Sequence, residues 1–223
     1  MTLLASGTKS TKKLIEKLAN KTIDETTVQN DRDTQLKKFN AQPNPYLCYC
    51  QYLKDKYSAQ ISAEEIIKLR YEIAQDFLQN IIRFIKPQAD LVIKKLKAKN
   101  FMLAITTTTK RTNMDIYRTL NKNINAKAPL DEYFDLIYTR EDVSKIKPDP
   151  EVYQKAMQKF NAKPEECIIF EDSLIGIEAA KQAGIETIAI YDKYSDADTK
   201  AIKAQADFYL HNYTELLSSI DEL

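Results

Sequence analysis

From residue 87 to the C-terminus the chain alternates between strand patterns and helix patterns, and this alternation limits the possible folds more than any other feature. Short apolar runs rich in β-branched side chains are separated by segments in which apolar residues recur every three or four positions. The predicted strands are residues 101–106, 136–139, 167–170, 187–191 and 208–210. Because the connections are short, the pattern predicts an α/β fold: a doubly wound parallel sheet flanked by helices.

The first part of the chain has a different character, since residues 11–85 show helical patterns and no segment typical of a buried strand. Leu14, Ile15 and Leu18 form one apolar stripe. Ser62 begins a capping box, S-A-E-E, in front of a long amphipathic segment. The tyrosines of this part could line a ligand site, but core packing of a small helical bundle is the commoner explanation. We expect an all-helical domain at 11–86 and an α/β core formed by 1–10 and 87–223.

The composition argues against several classes of protein. Lys plus Arg number 33 and Asp plus Glu 32, so neither a nucleic-acid groove nor a basic membrane-binding surface is expected. No apolar run approaches the roughly 20 residues that cross a bilayer, and residues 1–5 are too short for a signal-peptide core. The three cysteines have no C-x-x-C spacing, and His211 is the only histidine. We expect a soluble, cytoplasmic protein without a zinc site or histidine catalysis; the oligomeric state stays open.

Two adjacent acids, Glu171 and Asp172, come directly after the predicted strand 167–170, which we expect to be buried on both faces. The carboxyl ends of parallel strands form the ligand-binding edge of an open α/β sheet. Two carboxylates there, with no basic neighbour in sequence, suit a hard divalent cation such as Mg²⁺. The alternative is a strand-to-helix turn whose acids are favoured by the dipole of the following helix. Ser173 is the expected N-cap of that helix.

Glycine is scarce in this chain, and its positions are therefore informative. There are three glycines, where average usage of roughly 7% would give about sixteen. Gly176 lies inside a helix pattern, where glycine costs ~1 kcal/mol relative to alanine, so close packing or a ligand is the expected reason for it. Gly184 has the position of a helix-ending C′ residue.

Two other sequences offer groups that suit phosphate. Thr107 and Thr108 follow the predicted strand 101–106, and hydroxyls and backbone N–H groups at such a strand end can donate to phosphate oxygens. Lys147 precedes Pro148-Asp149-Pro150, and the prolines hold the backbone in an extended turn. A fixed ammonium near the paired acids would neutralise a transferring phosphoryl group. The alternatives are a threonine-rich strand end and an exposed lysine.

Residues 167–184 resemble motif IV of the haloacid dehalogenase (HAD) superfamily, in particular its helix-capped phosphatase and phosphomutase branch. The strand, the paired acids, the serine, the glycine and the pattern A-A-x-x-A-G all agree. The K-P-x-P sequence at 147–150 resembles motif III, and the threonines at 107 and 108 resemble motif II. The resemblance implies a Rossmann-like HAD core with a helical cap, and Mg²⁺-dependent hydrolysis of a small phosphorylated metabolite selected mainly by that cap.

The same resemblance implies the roles of individual residues. Thr107 and Lys147 would be catalytic; with Thr108 they would bind the phosphate, and Glu171 and Asp172 would hold Mg²⁺. Paired acids also favour phosphate chemistry over dehalogenation, which needs no metal. In the family the reaction passes through an aspartyl phosphate.

The nucleophile of that reaction is the part of the pattern that this chain does not match. The family has D-x-D-G-T after its first strand, whereas here only L-A-S-G-T at 4–8 is similar, with Leu4 at the nucleophile position and Ser6 at the acid/base position. Asp31-Arg32-Asp33 also reads D-x-D, but residues 26–30 are too polar for a buried strand, so we expect a solvated turn or helix start. Two functions stay open: a phosphatase with an altered or missing first strand, or a non-catalytic relative that binds a ligand or partner.

Overall fold

The structure is a computed structural model, and it describes residues 6–39, 41–81 and 86–220. The chain divides after residue 82 into two compact units, a helical one and an α/β one. The helical unit includes residues 6–10, which we expected in the α/β core. The physical reason is that these residues begin a continuous helix, Ser6–Ala19, that packs within the helical unit. Within the described ranges, no helix has both the length and the apolar character needed to span a membrane.

The helical unit contains helices that begin at recognisable capping residues. Asp24 and Asn44 each accept a hydrogen bond from a backbone N–H of the helix that follows, and at Ser62 both bonds of the predicted capping box are present. The last helix continues as a π-helical turn, Phe77–Ile81. The helices are α1 (Ser6–Ala19), α2 (Glu25–Lys38), α3 (Pro45–Tyr57) and α4 (Ala63–Asp76).

The core of the helical unit is built from the predicted apolar stripes. Leu14, Ile15, Leu53 and Ile66 are fully or almost fully buried in one cluster, which is what an amphipathic helix bundle requires. Tyr49 is buried in the same cluster, and its ring stacks on that of Tyr52. These two tyrosines therefore pack within the helical bundle.

Asp31 lies in the middle of α2, not in the turn or helix start that we expected. The helix begins seven residues earlier, at the Asp24 cap, although its sequence has no apolar stripe to reveal it. The Asp31 carboxylate accepts hydrogen bonds from the Tyr52 hydroxyl at 2.7 Å and from the Lys56 ammonium at 2.8 Å. Contacts with α3 thus hold Asp31 in place, and it does not follow a strand.

The α/β unit has parallel strands connected through helices, as the sequence predicts. β1 pairs with β2, and β3, β4 and β5 form a second parallel sheet in that order. The strands are β1 (Ala104–Thr106), β2 (Leu136–Tyr138), β3 (Ile168–Glu171), β4 (Glu186–Ile190) and β5 (Phe208–Leu210). The α-helices are α5 (Ala89–Ala98), α6 (Arg111–Asp115), α7 (Lys122–Asn125), α8 (Leu130–Tyr133), α9 (Glu151–Phe160), α10 (Leu174–Gln182), α11 (Thr199–Gln205) and α12 (Tyr213–Ser219). A π-helical turn, Ile116–Leu120, follows α6.

Helices cover both faces of this unit, so the fold is doubly wound. Successive side chains of a strand point to opposite faces. In β3, Ile169 packs against the cluster formed by α9 and α10, whereas the ring of the next residue, Phe170, contacts the ring of Tyr213 at the start of α12. Gly184, with a φ of 73°, ends the α10 segment in the left-handed conformation expected of a C′ glycine.

The strands are shorter and more exposed than predicted. We expected residues 101–106 and 167–170 to be buried strands, but β1 begins at Ala104, and Phe101, Met102 and Ile168 are 43%, 56% and 45% exposed. The reason lies in the pairing: within the described part of the chain, β1 pairs only with β2, and β3 pairs only with β4. One edge of each strand therefore has no neighbouring strand among the described residues.

Candidate active site

The turn after β3 places both acids of the predicted pair at the carboxyl edge of the sheet. Glu171 is the last residue of β3 and Asp172 follows it; each is 7% exposed. Ser173 caps α10, because its side chain accepts a hydrogen bond from the backbone N–H of Gly176 at 3.3 Å. The predicted strand–acid–acid–cap sequence is thus confirmed as local structure.

The carboxylate of Glu171 is surrounded by donors. Its Oε1 accepts hydrogen bonds from the Lys147 ammonium at 2.5 Å and from the Tyr153 hydroxyl at 3.2 Å. Its Oε2 accepts from the backbone N–H groups of Asp172 and Ser173 at 3.0 and 3.3 Å, and from the Ser173 hydroxyl at 3.0 Å. Burial alone would raise the pKa of Glu171, but the adjacent Lys147 charge and these donors lower it to about 2. At neutral pH Glu171 is therefore the ionised partner of Lys147.

Gly176 explains how so large a group fits at this turn. A Cβ atom at this position would lie 2.1 Å from the Cδ of Glu171 and 2.3 and 2.4 Å from its two carboxylate oxygens. The carboxylate therefore rests against the backbone of the first turn of α10, where only glycine leaves space. Of the two reasons expected for this glycine, close packing is the one that the structure shows.

The Asp172 carboxylate, unlike that of Glu171, is not fully hydrogen-bonded by the described residues. Its Oδ2 is buried and has no hydrogen-bond partner among the described residues. Burial raises the pKa of Asp172 to about 6, and the negative charge of Glu171 acts in the same direction. A buried carboxylate oxygen without a donor is unfavourable unless a cation or a proton occupies it. Asp172 is thus the member of the acid pair whose Oδ2 has no partner among the described residues.

Lys147 connects the two sheets of the unit. Its side chain is buried, and its ammonium donates to the carbonyl oxygen of Thr106 at the end of β1, 3.2 Å away, as well as to Glu171 at the end of β3. The ammonium also lies 4.7 Å from the centre of the Tyr153 ring, a distance typical of a cation–π contact. Lys147 is therefore held in a fixed position at the carboxyl edge.

One pocket is lined by the three residues predicted to bind phosphate, Thr107, Thr108 and Lys147. The pocket is small and opens to solvent. Its remaining lining residues are Val143, Ile146 and Val152. The Thr107 hydroxyl donates to the hydroxyl of Thr109 at 3.1 Å and accepts from its backbone N–H, whereas Thr108 is exposed. Two hydroxyl-bearing residues and one lysine thus border a pocket whose surface is mostly apolar.

Sequence reasoning missed three residues near these groups. Asp192 lies two residues after β4, and its carboxylate accepts a hydrogen bond from the Lys86 ammonium at 3.2 Å; the two side chains are 8% and 11% exposed. The same ammonium donates to the carbonyl oxygen of Tyr191. The third missed residue is Tyr153. Two of them had a signal in the sequence. Asp192 is an acid directly after a predicted strand, and Tyr153 is a tyrosine one helical turn after the prolines that follow Lys147.

The first motif of the family does not form a strand end in the described residues. Leu4 lies outside them, and residues 6–8 form the first turn of α1. Among the described residues, no group of three or more His, Cys, Asp or Glu side chains could hold a metal ion by itself. The described part of the chain therefore contributes a small pocket bordered by Thr107, Thr108 and Lys147 and one carboxylate oxygen without a described partner, and no attacking carboxylate beside them.

Comparison with known proteins finds relatives that match about half of this sequence. Curated relatives include a phosphorylated carbohydrates phosphatase of Thermotoga maritima, 39% identical over 94 residues, which are 42% of this chain and 40% of that protein. The pyrophosphatase PpaX of Bacillus thuringiensis is 33% identical over 132 residues, 59% of this chain and 57% of that protein. The chain thus spans about half the length of these relatives.

A solved structure shares the fold of this chain. The crystal structure of CbbY from Rhodobacter sphaeroides in complex with phosphate superposes with a TM-score of 0.64 at 22% identity, covering 97% of this chain and 92% of that one. The family model described as haloacid dehalogenase-like hydrolase matches residues 9–190, most of the chain. The chain therefore belongs to the haloacid dehalogenase-like hydrolase family.

Proposed function

We propose that this protein binds small phosphorylated metabolites together with Mg²⁺ and acts as a phosphatase of the HAD type, with an attacking group that does not come from the described residues. The observation that carries the proposal is the pocket lined by Thr107, Thr108 and Lys147, next to the acids at the end of β3. Relatives that hydrolyse phosphorylated carbohydrates and pyrophosphate support a phosphorylated substrate.

The proposed role of each residue follows from its contacts. The Lys147 ammonium, held by Glu171, would neutralise the oxygens of the phosphoryl group. The hydroxyls of Thr107 and Thr108 would donate hydrogen bonds to the same oxygens. Because the positions of these donors are set by β1 and by the turn before α9, they need little reorganisation when phosphate binds.

A magnesium ion fits the chemistry of Asp172, the second residue of the acid pair. Asp172 offers a buried carboxylate oxygen that has no partner among the described residues, and carboxylate oxygen is the ligand that Mg²⁺ prefers. When bound there, Mg²⁺ would supply Lewis-acid neutralisation of the phosphate. As the described residues lack a complete ligand set, water and phosphate oxygens would complete the coordination.

One observation favours a second candidate function, a non-catalytic module that binds a phosphorylated ligand or a protein partner. Lys147 and the threonines can hold phosphate, but no carboxylate of the described residues lines their pocket. Thr107 and Thr108 are weak nucleophiles without an adjacent base. Such a module would retain binding and show no turnover.

Other expectations remain proposals. We propose that the helical unit selects the substrate, as the cap does in this family, and that the protein is cytoplasmic. We also propose that its partners do not include nucleic acid or membranes, since its acidic and basic residues balance.

The experiment that tests the proposed function separates binding from turnover. Isothermal titration calorimetry with inorganic phosphate and Mg²⁺ should show binding by the unmodified chain, lost in Lys147→Met and retained in Lys159→Met, a control at an exposed position of α9. Hydrolysis of p-nitrophenyl phosphate is then measured under the same conditions. Binding with turnover supports the phosphatase, and binding without turnover supports a non-catalytic module that binds a phosphorylated ligand. Absence of phosphate binding refutes both of these and leaves the module that binds a protein partner.

A further inference from the structure

The Glu171 carboxylate accepts more hydrogen bonds than a metal ligand could. Two carboxylate oxygens provide about four lone-pair sites, and here they receive five hydrogen bonds, two at Oε1 and three at Oε2. The close approach to Gly176 prevents the carboxylate from moving further towards α10. All of its acceptor capacity therefore serves groups of the chain itself, and among the described residues Lys147 is the only cation that donates to it.

Tyr153 contacts both members of this ion pair. Its hydroxyl donates to the same Oε1 atom that binds Lys147, and the face of its ring lies 4.7 Å from the Lys147 ammonium. The side chain is 3% exposed, and burial, with the charge of Glu171, raises its pKa well above the usual value. Tyr153 is therefore a neutral hydrogen-bond donor throughout the physiological pH range.

The backbone explains why Tyr153 can hold this position. Lys147 and Tyr153 are separated by the turn Pro148-Asp149-Pro150 and the start of α9 at Glu151. Asp149 accepts from the backbone N–H of Glu151 at 3.0 Å, which stabilises that start. The hydroxyl of Tyr153 also lies 3.5 Å from the carbonyl oxygen of Gly176. The lysine, the tyrosine and the glycine thus belong to short, well-anchored segments that meet at Glu171.

We propose that Tyr153 is a positioning residue that directs the Lys147 ammonium into the phosphate pocket, a role that rests on the proposed function. By donating to Oε1, Tyr153 satisfies part of the negative charge of Glu171. The ring fixes the ammonium from one side. Lys147 then retains capacity to interact with a phosphate oxygen in the pocket that it lines with Thr107 and Thr108. Glu171 acts as the anchor of Lys147, and Asp172 is the member of the pair that would hold a metal ion.

Tyr153→Phe tests this role because it removes the hydroxyl and keeps the ring. We expect the dissociation constant for inorganic phosphate to rise about fivefold, the equivalent of one hydrogen bond, while Mn²⁺ affinity measured by electron paramagnetic resonance stays within about twofold. Tyr153→Leu, which removes the ring as well, should weaken phosphate binding by a further factor of about five or more. Tyr117→Phe, which truncates another buried tyrosine of the same unit, should change neither affinity.

A spectroscopic readout keeps the test independent of phosphate binding and of general stability. The side-chain ¹⁵Nζ resonance of Lys147, identified by its loss in Lys147→Met, should shift in Tyr153→Phe and not in Tyr117→Phe. An unchanged resonance with unchanged phosphate affinity in Tyr153→Phe would overturn the positioning role, and so would an equal loss of phosphate and Mn²⁺ affinity. If the unmodified chain binds no phosphate, the proposed function fails, and the Lys147 resonance alone still decides whether Tyr153 positions the ammonium.

Discussion

Replacing Gly176 with alanine is the substitution for which the structure makes the clearest quantitative prediction. Alanine is a better helix former, so helix propensity alone predicts a gain of ~1 kcal/mol in the free energy of unfolding. In this protein, however, the new Cβ would lie 2.1 Å from the Cδ of Glu171, whereas carbon atoms in contact are separated by about 3.5–4.0 Å. The Glu171 carboxylate would therefore have to move by well over 1 Å and lose hydrogen bonds.

The expected magnitude follows from three contributions. Overpacking a well-packed site costs about 1–3 kcal/mol, and weakening a charge-assisted hydrogen bond such as that with Lys147 costs about 1.5–3 kcal/mol. Subtracting the helix gain of ~1 kcal/mol leaves a net loss of about 1.5–5 kcal/mol in the free energy of unfolding. The measurement is urea denaturation at pH 7 followed by circular dichroism.

A double-mutant cycle shows whether Glu171 is the cause. In a Glu171→Ala background the obstructing carboxylate is gone, so Gly176→Ala should become neutral or stabilising by up to ~1 kcal/mol, which gives a coupling energy of about 1.5–6 kcal/mol. A Gly176→Ala variant of the otherwise unmodified chain that is more stable by ~1 kcal/mol, as propensity alone predicts, would refute the argument.

Three further predictions concern stability and turnover. Tyr49→Phe should raise the free energy of unfolding by ~1 kcal/mol, because the Tyr49 hydroxyl is buried without a partner among the described residues; Tyr52→Phe, which loses a bond to Asp31, should lower it by a similar amount. In EDTA, Asp172→Asn should stabilise the protein at pH 8 and have little effect at pH 4. The pKa of Asp172 is about 6 in the folded protein against an ordinary aspartate value of 3.8, so ionisation of Asp172 destabilises the native state increasingly as pH rises between these values. Because Asp31 is held within α2 by contacts with α3, the Mg²⁺-dependent hydrolysis of p-nitrophenyl phosphate expected of the proposed phosphatase should be retained in Asp31→Asn and lost in Lys147→Met. A robust rate abolished by Asp31→Asn but not by Glu171→Gln would contradict the site assignment.

Local signals in the sequence predicted much of the backbone. The capping box at Ser62, the cap at Ser173 and the left-handed glycine at 184 each depend on a few adjacent residues, and all three occur in the structure. The order of strands and helices after residue 87 was also predictable, because strand and helix periodicities differ. The structure brings Thr107, Thr108 and Lys147 to one pocket and bonds Lys147 to Glu171; their chemical roles stay proposals.

Other features depend on which segments meet in space, and no local pattern reveals them. Helix α2 has almost no apolar stripe, and the contacts of Asp31 with α3 come from 21 and 25 residues away along the chain. The sequence of residues 167–170 is apolar enough for a strand buried on both faces, yet Ile168 is half exposed because strand pairing, not composition, sets its burial. Tyr153 was missed for the same reason, since only the packing of α9 against β3 brings it to Glu171.

The contacts of Lys147 have a consequence for the mechanical behaviour of the α/β unit. Between β1 and β3 the described residues form no strand pairing, and the Lys147 ammonium joins the end of one strand to the end of the other. A ligand that draws this ammonium into the pocket would therefore also change the separation of the two strand ends. Amide hydrogen exchange at the ends of both strands should then change together when a ligand binds. Ligand binding in the pocket is therefore coupled to the stability of the contact between the ends of β1 and β3.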